Sequence, residues 1–273
     1  MRRSPWLVGV MGTYLGFLLL LPLGALVGTS MQYPWQQVWA LITAPVALAA
    51  YRLTFGTALT AAALNTVLGF ILAWVLVRYR FPGRRLLDSL VDVPFAIPSV
   101  VAAITLATLY GQGGVLGQFW DEGTPLGRVI PLNFTASVEA VVLAQLFVTL
   151  PFVVRTVQPV LLELDPEVEE AAYTLGAGDW QCFWRVILPP VVPALITGFT
   201  LALARGIGEF GVIVIISGNI PYKTLAATVY VYQQLEEFNY PAATVIALVL
   251  LLVSLGLFAT TYLVQRWVMP PVS

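Results

Sequence analysis

Histidine is absent from the 273-residue sequence, and cysteine and lysine occur once each, as Cys182 and Lys223. These absences exclude an internal disulfide, the common His/Cys zinc sites and acid–base chemistry that depends on imidazole. The phosphate-binding pattern Gly-x4-Gly-Lys-Ser/Thr is also missing, so the chain has no Walker motif for ATP. We therefore expect no catalytic residue, no metal site and no cofactor in this chain.

Charged residues are scarce as well. Only 10% of the residues are charged and 59% are hydrophobic, whereas about 25% of the residues of a soluble domain are charged. The chain could not cover a surface that faces water on all sides. The 13 basic and 14 acidic side chains give a formal net charge of -1, so no basic field for nucleic acid is present. The composition predicts an all-α, multi-pass membrane protein in contact with lipid.

Six apolar segments are long enough to be membrane spans, since a spanning helix needs about 20 apolar residues. These segments are 6–29, 55–77, 93–111, 136–158, 191–217 and 242–265. The first exceeds the apolar core of a signal peptide and lacks a clear cleavage site, so we interpret it as a retained span. No internal repeat or linker divides the chain, and residues 1–273 are predicted to form one membrane domain.

The distribution of Lys and Arg predicts the orientation of the spans. With the N-terminus inside, nine of these residues face inward and three face outward. The inner set is Arg2, Arg3, Arg78, Arg80, Arg84, Arg85, Arg155, Arg185 and Arg266, and the outer set is Arg52, Arg128 and Lys223. Both termini are therefore predicted to be cytoplasmic, and the loop at 159–190 is predicted to face the cytoplasm.

A polar segment at 163–189 interrupts the apolar sequence and is predicted to fold as two short helices. Asp165 can cap the first helix, Pro166 fits its first position, and Gly176 suits the left-handed residue that ends it. Asp179 is expected to cap the second helix, and Pro189 and Pro190 to stop it before the fifth span. The apolar side chains of the two helices recur at helical spacing: Val168, Ala171, Ala172 and Leu175 in the first, and Trp180, Phe183, Trp184 and Ile187 in the second. From the residues alone, this segment is either an amphipathic connector that rests on lipid headgroups or a docking surface.

The spacing in this segment resembles the EAA motif of ABC importer permeases. Glu170-Ala-Ala, three residues, Gly176, nine residues and Val186-Ile-Leu-Pro match the pattern E-A-A-x3-G-x9-I-x-L-P, with Val186 in place of the usual Ile. Further blocks resemble the sulfate/thiosulfate branch of this family, and they begin at Asp92, Leu150, Gly208, Ser217 and Leu235. The block Gly208-Glu-Phe-Gly also resembles molybdate and tungstate permeases. The blocks at 150–162 and 217–243 favour sulfate.

The resemblance implies a type I ABC importer permease fold with six transmembrane helices and a cytoplasmic coupling helix that enters a cleft of the ATPase. The residues that it implies for coupling to the ATPase are Glu170, Ala171, Ala172, Leu175 and Gly176. It also implies a bacterial or cyanobacterial-type inner membrane location. The partners that it implies are a second, homologous permease subunit in a heterodimer, two ATPase subunits that bind ATP and Mg²⁺, and an extracytoplasmic sulfate-binding protein.

The fifth predicted span contains two charges, Arg205 and Glu209, which lie four residues apart on one helix face. A charge at this depth should face the bundle interior or an aqueous path. The two side chains are either a structural pair that neutralises itself or part of the lining of the translocation path, with Gly208 between them. Pro94 and Pro98 predict a bend at the start of the third span.

Other polar side chains have simpler interpretations. Asn65, Gln145 and Thr149 are candidates for hydrogen bonds between helices. Arg155 is expected to extend to the membrane interface at the inner end of the fourth span. The cluster of Arg78, Arg80, Arg84 and Arg85 is interpreted as a topology signal, with a contact to the ATPase as the alternative.

Two other functions stay open at the level of sequence. A molybdate or tungstate permease would have the same architecture and a different oxyanion. An ion-gradient-driven transporter or channel would need no ATPase partner. An intramembrane enzyme has the least support, because no nucleophile and base occur together.

Overall fold

A computed structural model describes residues 5–111, 113–120, 124 and 134–268. Within these ranges the chain is all-α and contains no β-strand. The helices are α1 (Pro5–Leu15), α2 (Leu21–Ser30), α3 (Trp35–Ile42), α4 (Pro45–Arg78), α5 (Arg84–Val91), α6 (Val93–Ala96), α7 (Ser99–Tyr110), α8 (Val138–Glu163), α9 (Pro166–Thr174), α10 (Asp179–Cys182), α11 (Leu188–Ile207), α12 (Ile213–Ile216), α13 (Ala227–Glu236) and α14 (Tyr240–Val268). Arg2, Arg3 and Arg128 from the charge count lie outside the described residues.

The core is built by α4, α8 and α11, which approach one another closely at glycines. A Cβ atom on Gly69 would lie 2.8 Å from the Val153 Cβ atom, and one on Gly198 would lie 2.9 Å from the Val153 Cα atom. Small residues permit such close packing between membrane helices, where dispersion contacts replace the hydrophobic effect as the driving force. Val153, Val154 and Val157 are fully buried at this contact.

Polar side chains also join these three helices. The Asn65 amide on α4 donates to the Leu146 carbonyl at 2.9 Å and to the Thr149 hydroxyl at 2.8 Å. The Gln145 amide on α8 donates to the Gly206 carbonyl of α11 at 3.1 Å. The predicted hydrogen bonds between helices are therefore confirmed, and they help to hold α4 and α11 against α8.

Five described helices are long and apolar enough to cross a membrane, whereas six were predicted. They are Gly9–Ser30, Pro45–Arg78, Val138–Glu163, Asp179–Ile207 and Tyr240–Leu263. The expectation of one continuous helix over 93–111 is wrong, because the segment is broken at Ile97 and Pro98 into α6 and α7. The 12 residues of α7 extend for about 18 Å, which is less than the thickness of the hydrocarbon core of a bilayer, about 30 Å.

The packing of α4 against α8 nevertheless requires the chain to return across the bundle between them. Along α4, successive contacts reach α8 in the same order: Asn65 meets Leu146, and Gly69 meets Val153. The two helices therefore run parallel, so residues 79–137 must carry the chain back to the end where α8 begins. The broken helices α6 and α7 are the apolar part of this return.

The predicted fifth span is also broken. Helix α11 ends at Ile207, five residues of turn or irregular chain follow, and the short helix α12 begins at Ile213. A Cβ atom on Gly211 would lie 2.6 Å from the Ser99 Cβ atom at the start of α7. The interruptions of the third and fifth predicted spans therefore lie against each other, and Gly211 is the residue that allows this approach.

Candidate functional site

Helix α9 has the ends that its sequence predicted. The Asp165 carboxylate accepts a hydrogen bond from the Glu167 N–H at 3.0 Å, and Pro166 occupies the first turn. Gly176 has φ +85°, its N–H donates to the Tyr173 carbonyl, and the next N–H donates to the Ala172 carbonyl. These two bonds form a Schellman motif, which glycine favours because it adopts positive φ without steric cost.

Four of the five predicted coupling residues face away from the rest of the chain. Glu170, Ala171, Leu175 and Gly176 are exposed, and the Leu175 side chain is 88% exposed. Ala172 instead lies partly buried against the hydrophobic core. Val168 extends the exposed apolar face, at 55% exposure. A capped helix with an uncovered apolar face of this kind can receive a partner without any rearrangement of its own backbone.

The opposite face of α9 is fixed to the bundle by charge. Glu169 forms an ion pair with Arg78, the last residue of α4. The Arg78 guanidinium also lies 5.1 Å from the centre of the Trp74 ring, within cation–π range. Arg78 therefore has a structural role in addition to any role as a topology signal. The sequence did not indicate this structural role, because Glu169 is 91 positions away from Arg78.

The second short helix differs from its prediction in two respects. Gly178 is the N-cap residue, Asp179 is the first helical residue, and the Gln181 side chain accepts from the Gly178 N–H at 3.3 Å. The expected stop at Pro189 is also wrong.

The helical segment Asp179–Ile207 instead runs on through a π-turn at Phe183–Ile187. The Leu188 N–H donates to the Phe183 carbonyl, five residues back, and this wider turn leads into the two prolines. Helix α10 is therefore continuous with a spanning helix, and the turn at residues 175–178 joins α9 to α10.

A second charged cluster lies at the same end of the bundle, around Arg155 of α8. Its guanidinium forms two parallel hydrogen bonds to the Asp92 carboxylate, at 2.8 and 2.7 Å. It also donates to the Asp88 carboxylate and to the Asp88 carbonyl, both at 2.7 Å, and to Gln158 at 2.6 Å. The hydrogen bond from Arg155 holds the pKa of Asp88 below its usual range. Arg155 therefore joins α5 and the residue before α6 to α8, a role that the sequence did not indicate. Its expected extension to the membrane interface stays a prediction.

The two charges of the predicted fifth span do form a pair. The Arg205 guanidinium contacts the Glu209 carboxylate, whose other oxygen accepts from the Val212 N–H at 2.9 Å. The Glu209 side chain is 1% exposed and that of Arg205 is 37% exposed. The prediction that Arg205 and Glu209 lie on one helix face is wrong, because Glu209 lies two residues beyond the end of α11. Gly208 is exposed, and a Cβ atom there would make only ordinary contacts.

Comparisons with known proteins bear on the role of these features. The sequence profile of the family described as "Binding-protein-dependent transport system inner membrane component" matches residues 65–269. The chain is 47% identical to the sulfate transport system permease protein CysT of Synechocystis, over 96% of this chain and 89% of that protein. It is 46% identical to the protein of the same name from Escherichia coli, over 93% and 90% of the two chains. A subunit of a bacterial ABC transporter that imports alginate has the same fold, with a TM-score of 0.75 at 19% identity, over 96% and 95% of the chains.

Proposed function

The chain belongs to the family of binding-protein-dependent transport system inner membrane components, and we propose that it is the permease subunit of an ATP-driven importer of sulfate. The observation that carries the choice of sulfate is the 46–48% identity to sulfate permeases along nearly the whole chain. The resemblance to ABC importer permeases in the EAA segment agrees with this family. Thiosulfate, which resembles sulfate in charge and shape, belongs to the same proposal.

The chain acts in this proposal together with partners in the inner membrane. A second, homologous permease subunit completes the path, two ATPase subunits bind ATP and Mg²⁺, and an extracytoplasmic protein delivers the anion. The lack of a Walker motif in the sequence supports an external source of energy. The charge count supports cytoplasmic termini and a cytoplasmic position for α9, on the side where ATP is available.

Coupling follows from how α9 is attached. We assign contact with the ATPase to Glu170, Ala171, Ala172, Leu175 and Gly176, on and just after α9. Movement of α9 when the ATPase subunits close would reach α4 through the Glu169–Arg78 pair. It would reach α11 through α10 and the π-turn. Both are core helices, so a shift at their inner ends can alternate access to the path as a rigid-body movement.

Arg205 and Glu209 are the proposed charges of the path, with Gly208 between them. Because Glu209 is buried and contacts Arg205, it partly cancels the positive field that an anion would meet. A weak field is suited to transport, since a site that held a dianion tightly would release it slowly.

The proposal is tested by purifying the native complex gently and identifying its subunits. We expect an ATPase subunit and a second permease, and we expect ATP hydrolysis that rises with sulfate in the presence of the binding protein. ATP hydrolysis that rises with molybdate or tungstate and is unchanged by sulfate would contradict the proposal that sulfate is the substrate. Import that proceeds without a nucleotide-binding subunit would contradict the whole class and favour an ion-gradient-driven transporter or channel.

A further inference from the structure

A cavity of about 570 Å³ lies at the end of the bundle opposite α9. Its wall is formed by the first half of α4, the start of α8 and the loop after α12. The side chains that matter for its chemistry are Arg52, Thr57, Thr60, Tyr222 and Lys223. By the charge count, this is the outer end of the protein.

The cavity has two positive charges and no acidic residue in its lining. Neither the Arg52 guanidinium nor the Lys223 ammonium forms an ion pair or a hydrogen bond with any residue that the structure describes. By contrast, Arg205 in the middle of the bundle is paired with Glu209. Two unpaired cations that share one low-dielectric concavity attract anions, because the walls focus their field toward the opening.

The loop that carries Lys223 is held in place before any ligand arrives. The Ile220 carbonyl accepts from the N–H groups of Lys223 and Thr224, at 3.1 and 2.9 Å, and the Ile220 N–H donates to the Thr224 hydroxyl at 3.1 Å. The Asn219 amide donates to the Val214 carbonyl at 2.7 Å. The loop therefore does not need to be ordered when an ion binds.

Tyr222 in this loop has φ +65°, a conformation that is uncommon for a residue with a bulky side chain. Such backbone strain persists only where the surrounding structure enforces it, and it is found preferentially at functional sites. Here it places the exposed Tyr222 side chain at the cavity, next to Lys223.

Apart from its two positively charged side chains, the cavity has few hydrogen-bond donors for an ion. The Thr57 and Thr60 hydroxyls each donate to a backbone carbonyl of α4 at 2.8 Å, so the donors left for an ion are the two cations and the Tyr222 hydroxyl. A tetrahedral dianion would be attracted from a distance and held loosely, which favours entry and rapid onward release. Because this attraction is mainly long-range, it should weaken as ionic strength rises.

We propose that this cavity is an outer capture site for the tetrahedral sulfate dianion, with Arg52 and Lys223 as its two binding charges. The inference rests on the proposed function for the identity of the ion and adds the place where the ion first meets the permease. The phosphate of an anionic lipid headgroup has the same chemistry, so the experiment must distinguish these two sources.

The test uses the full complex in two sets of vesicles, one of neutral lipid and one with added anionic lipid. The binding protein is added on the outer side of the membrane. Uptake of radiolabelled sulfate is measured well below saturation for Arg52→Gln, Lys223→Gln and the double variant. We expect about a tenfold loss for each removed charge, since a hydrogen bond to a charged group is typically worth that factor or more. Arg52→Lys and Lys223→Arg should retain uptake within about twofold, and the double variant should lose most of its dependence on salt. The charge-conserving variants Arg52→Lys and Lys223→Arg are the matched controls.

A second measurement keeps the test independent of folding. Lys223→Cys adds an accessible thiol to a chain whose own Cys182 is buried. A positively charged methanethiosulfonate reagent should restore uptake in the assembled complex, whereas a negatively charged one should lower it further.

Three results would overturn the capture site. The first is uptake by the double variant equal to wild type. The second is a loss explained by weaker association with the binding protein, which would make the cavity a protein contact. The third is a loss seen only when anionic lipid is present, which would assign the cavity to headgroups. A wild-type complex that imports no sulfate would instead contradict the proposed function, and it is recognised before any variant is measured.

Discussion

At the scale of single residues, Arg155 is the most connected side chain in the described part of the chain. It forms an ion pair with Asp88 and with Asp92, and these carboxylates are 40% and 50% exposed. The pKa of Asp88 is lowered, chiefly by its hydrogen bond to Arg155. A carboxyl with a lowered pKa stabilises the fold fully above its ordinary pKa and loses that contribution as the pH falls through the lowered value. The contribution from Asp88 should therefore be constant around neutral pH and decline only in acid.

We expect Arg155→Gln to lower the free energy of unfolding by about 1 kcal/mol, a value kept small because the partners are partly exposed. Arg155→Lys should fall between wild type and Arg155→Gln, since lysine keeps the charge and loses the paired geometry. The measurement is thermal unfolding of the purified protein in detergent. Arg80→Gln is the matched control, and equal unfolding temperatures for the two glutamine variants would contradict this role.

The pair of Arg205 and Glu209 gives a second prediction at this scale. Arg205→Ala leaves the buried Glu209 carboxylate without its counter-charge, so it should destabilise the protein more than the double alanine variant does. We expect a coupling energy of about 1–2 kcal/mol in a double-mutant cycle on thermal unfolding. The cycle should also be non-additive for sulfate uptake.

The control for this cycle is Glu209→Gln, which keeps an acceptor for the Val212 N–H and removes the charge. Purely additive effects of the single substitutions on both measurements would contradict coupling between the two residues.

Single residues were predictable from the sequence where their partners are local. Asp165 and Gly176 end α9 through bonds to residues within four positions, and both predictions are confirmed. The partners of Arg155 lie 63 and 67 positions away, and no local pattern indicates them. The prediction for Glu209 was right in part. Its contact with Arg205 was expected and is present, but the helix that was expected to bring the two residues together ends at Ile207.

At the scale of elements, hydrophobic length predicted where helices lie and did not predict where they break. Pro98 gave a signal for the break before α7, which was expected to be a bend within one helix. The break after Ile207 had only glycines as a signal, which fit packing equally well. Pro189 and Pro190 indicated that the second short helix ends before the fifth span, but the helix continues through the π-turn. In this wider turn each N–H donates to the carbonyl five residues back, so the pairing of carbonyls near the prolines differs from that of an α-helix.

Helix α9 is the element whose exposed face can be tested most directly. Leu175→Glu and Gly176→Asp should each reduce recovery of the ATPase with the permease about tenfold or more, since each places a charge in a close apolar contact. Leu175→Glu should not disturb the chain itself, because Leu175 is 88% exposed. Gly176→Asp meets no other atom within 4 Å at its Cβ atom, but it adds backbone strain because Gly176 has φ +85°. Co-purification and coupled ATP hydrolysis are the measurements.

Matched controls separate charge from backbone strain at these positions. Leu175→Met keeps an apolar side chain, and Gly176→Asn tolerates positive φ without adding a charge. Both should retain the ATPase. Normal recovery of the ATPase with Leu175→Glu and with Gly176→Asp would contradict the docking surface.

At the scale of the whole molecule, charge is arranged differently at the two ends. At the end of the bundle that carries α9, Arg78 joins α4 to α9 and Arg155 joins α8 to α5 through carboxylates. At the opposite end, Arg52 and Lys223 line a cavity and have no ion pair among the described residues. The paired charges stabilise the end that we propose to contact the ATPase, while the unpaired ones leave a positive field at the end where we propose that the anion enters.

The arrangement of the spans leads to a final prediction, on sidedness. Because α4 and α8 run parallel, the chain must return between them, and the loop with Tyr79 and the loop with Tyr222 then lie on opposite sides of the membrane. Both tyrosines are exposed, at 57% and 63%, so Tyr79→Cys and Tyr222→Cys form a matched pair. The buried Cys182 makes the wild-type chain the unlabelled control. A maleimide that cannot cross the membrane should label Tyr222→Cys in spheroplasts and Tyr79→Cys only in inside-out vesicles.

If α6 and α7 did not carry the chain across, both variants would be labelled from the same side, since only α8 and α11 would then cross between them. Labelling of Tyr79→Cys from outside and of Tyr222→Cys from inside would keep the six crossings and reverse the orientation, placing α9 where no ATPase could reach it.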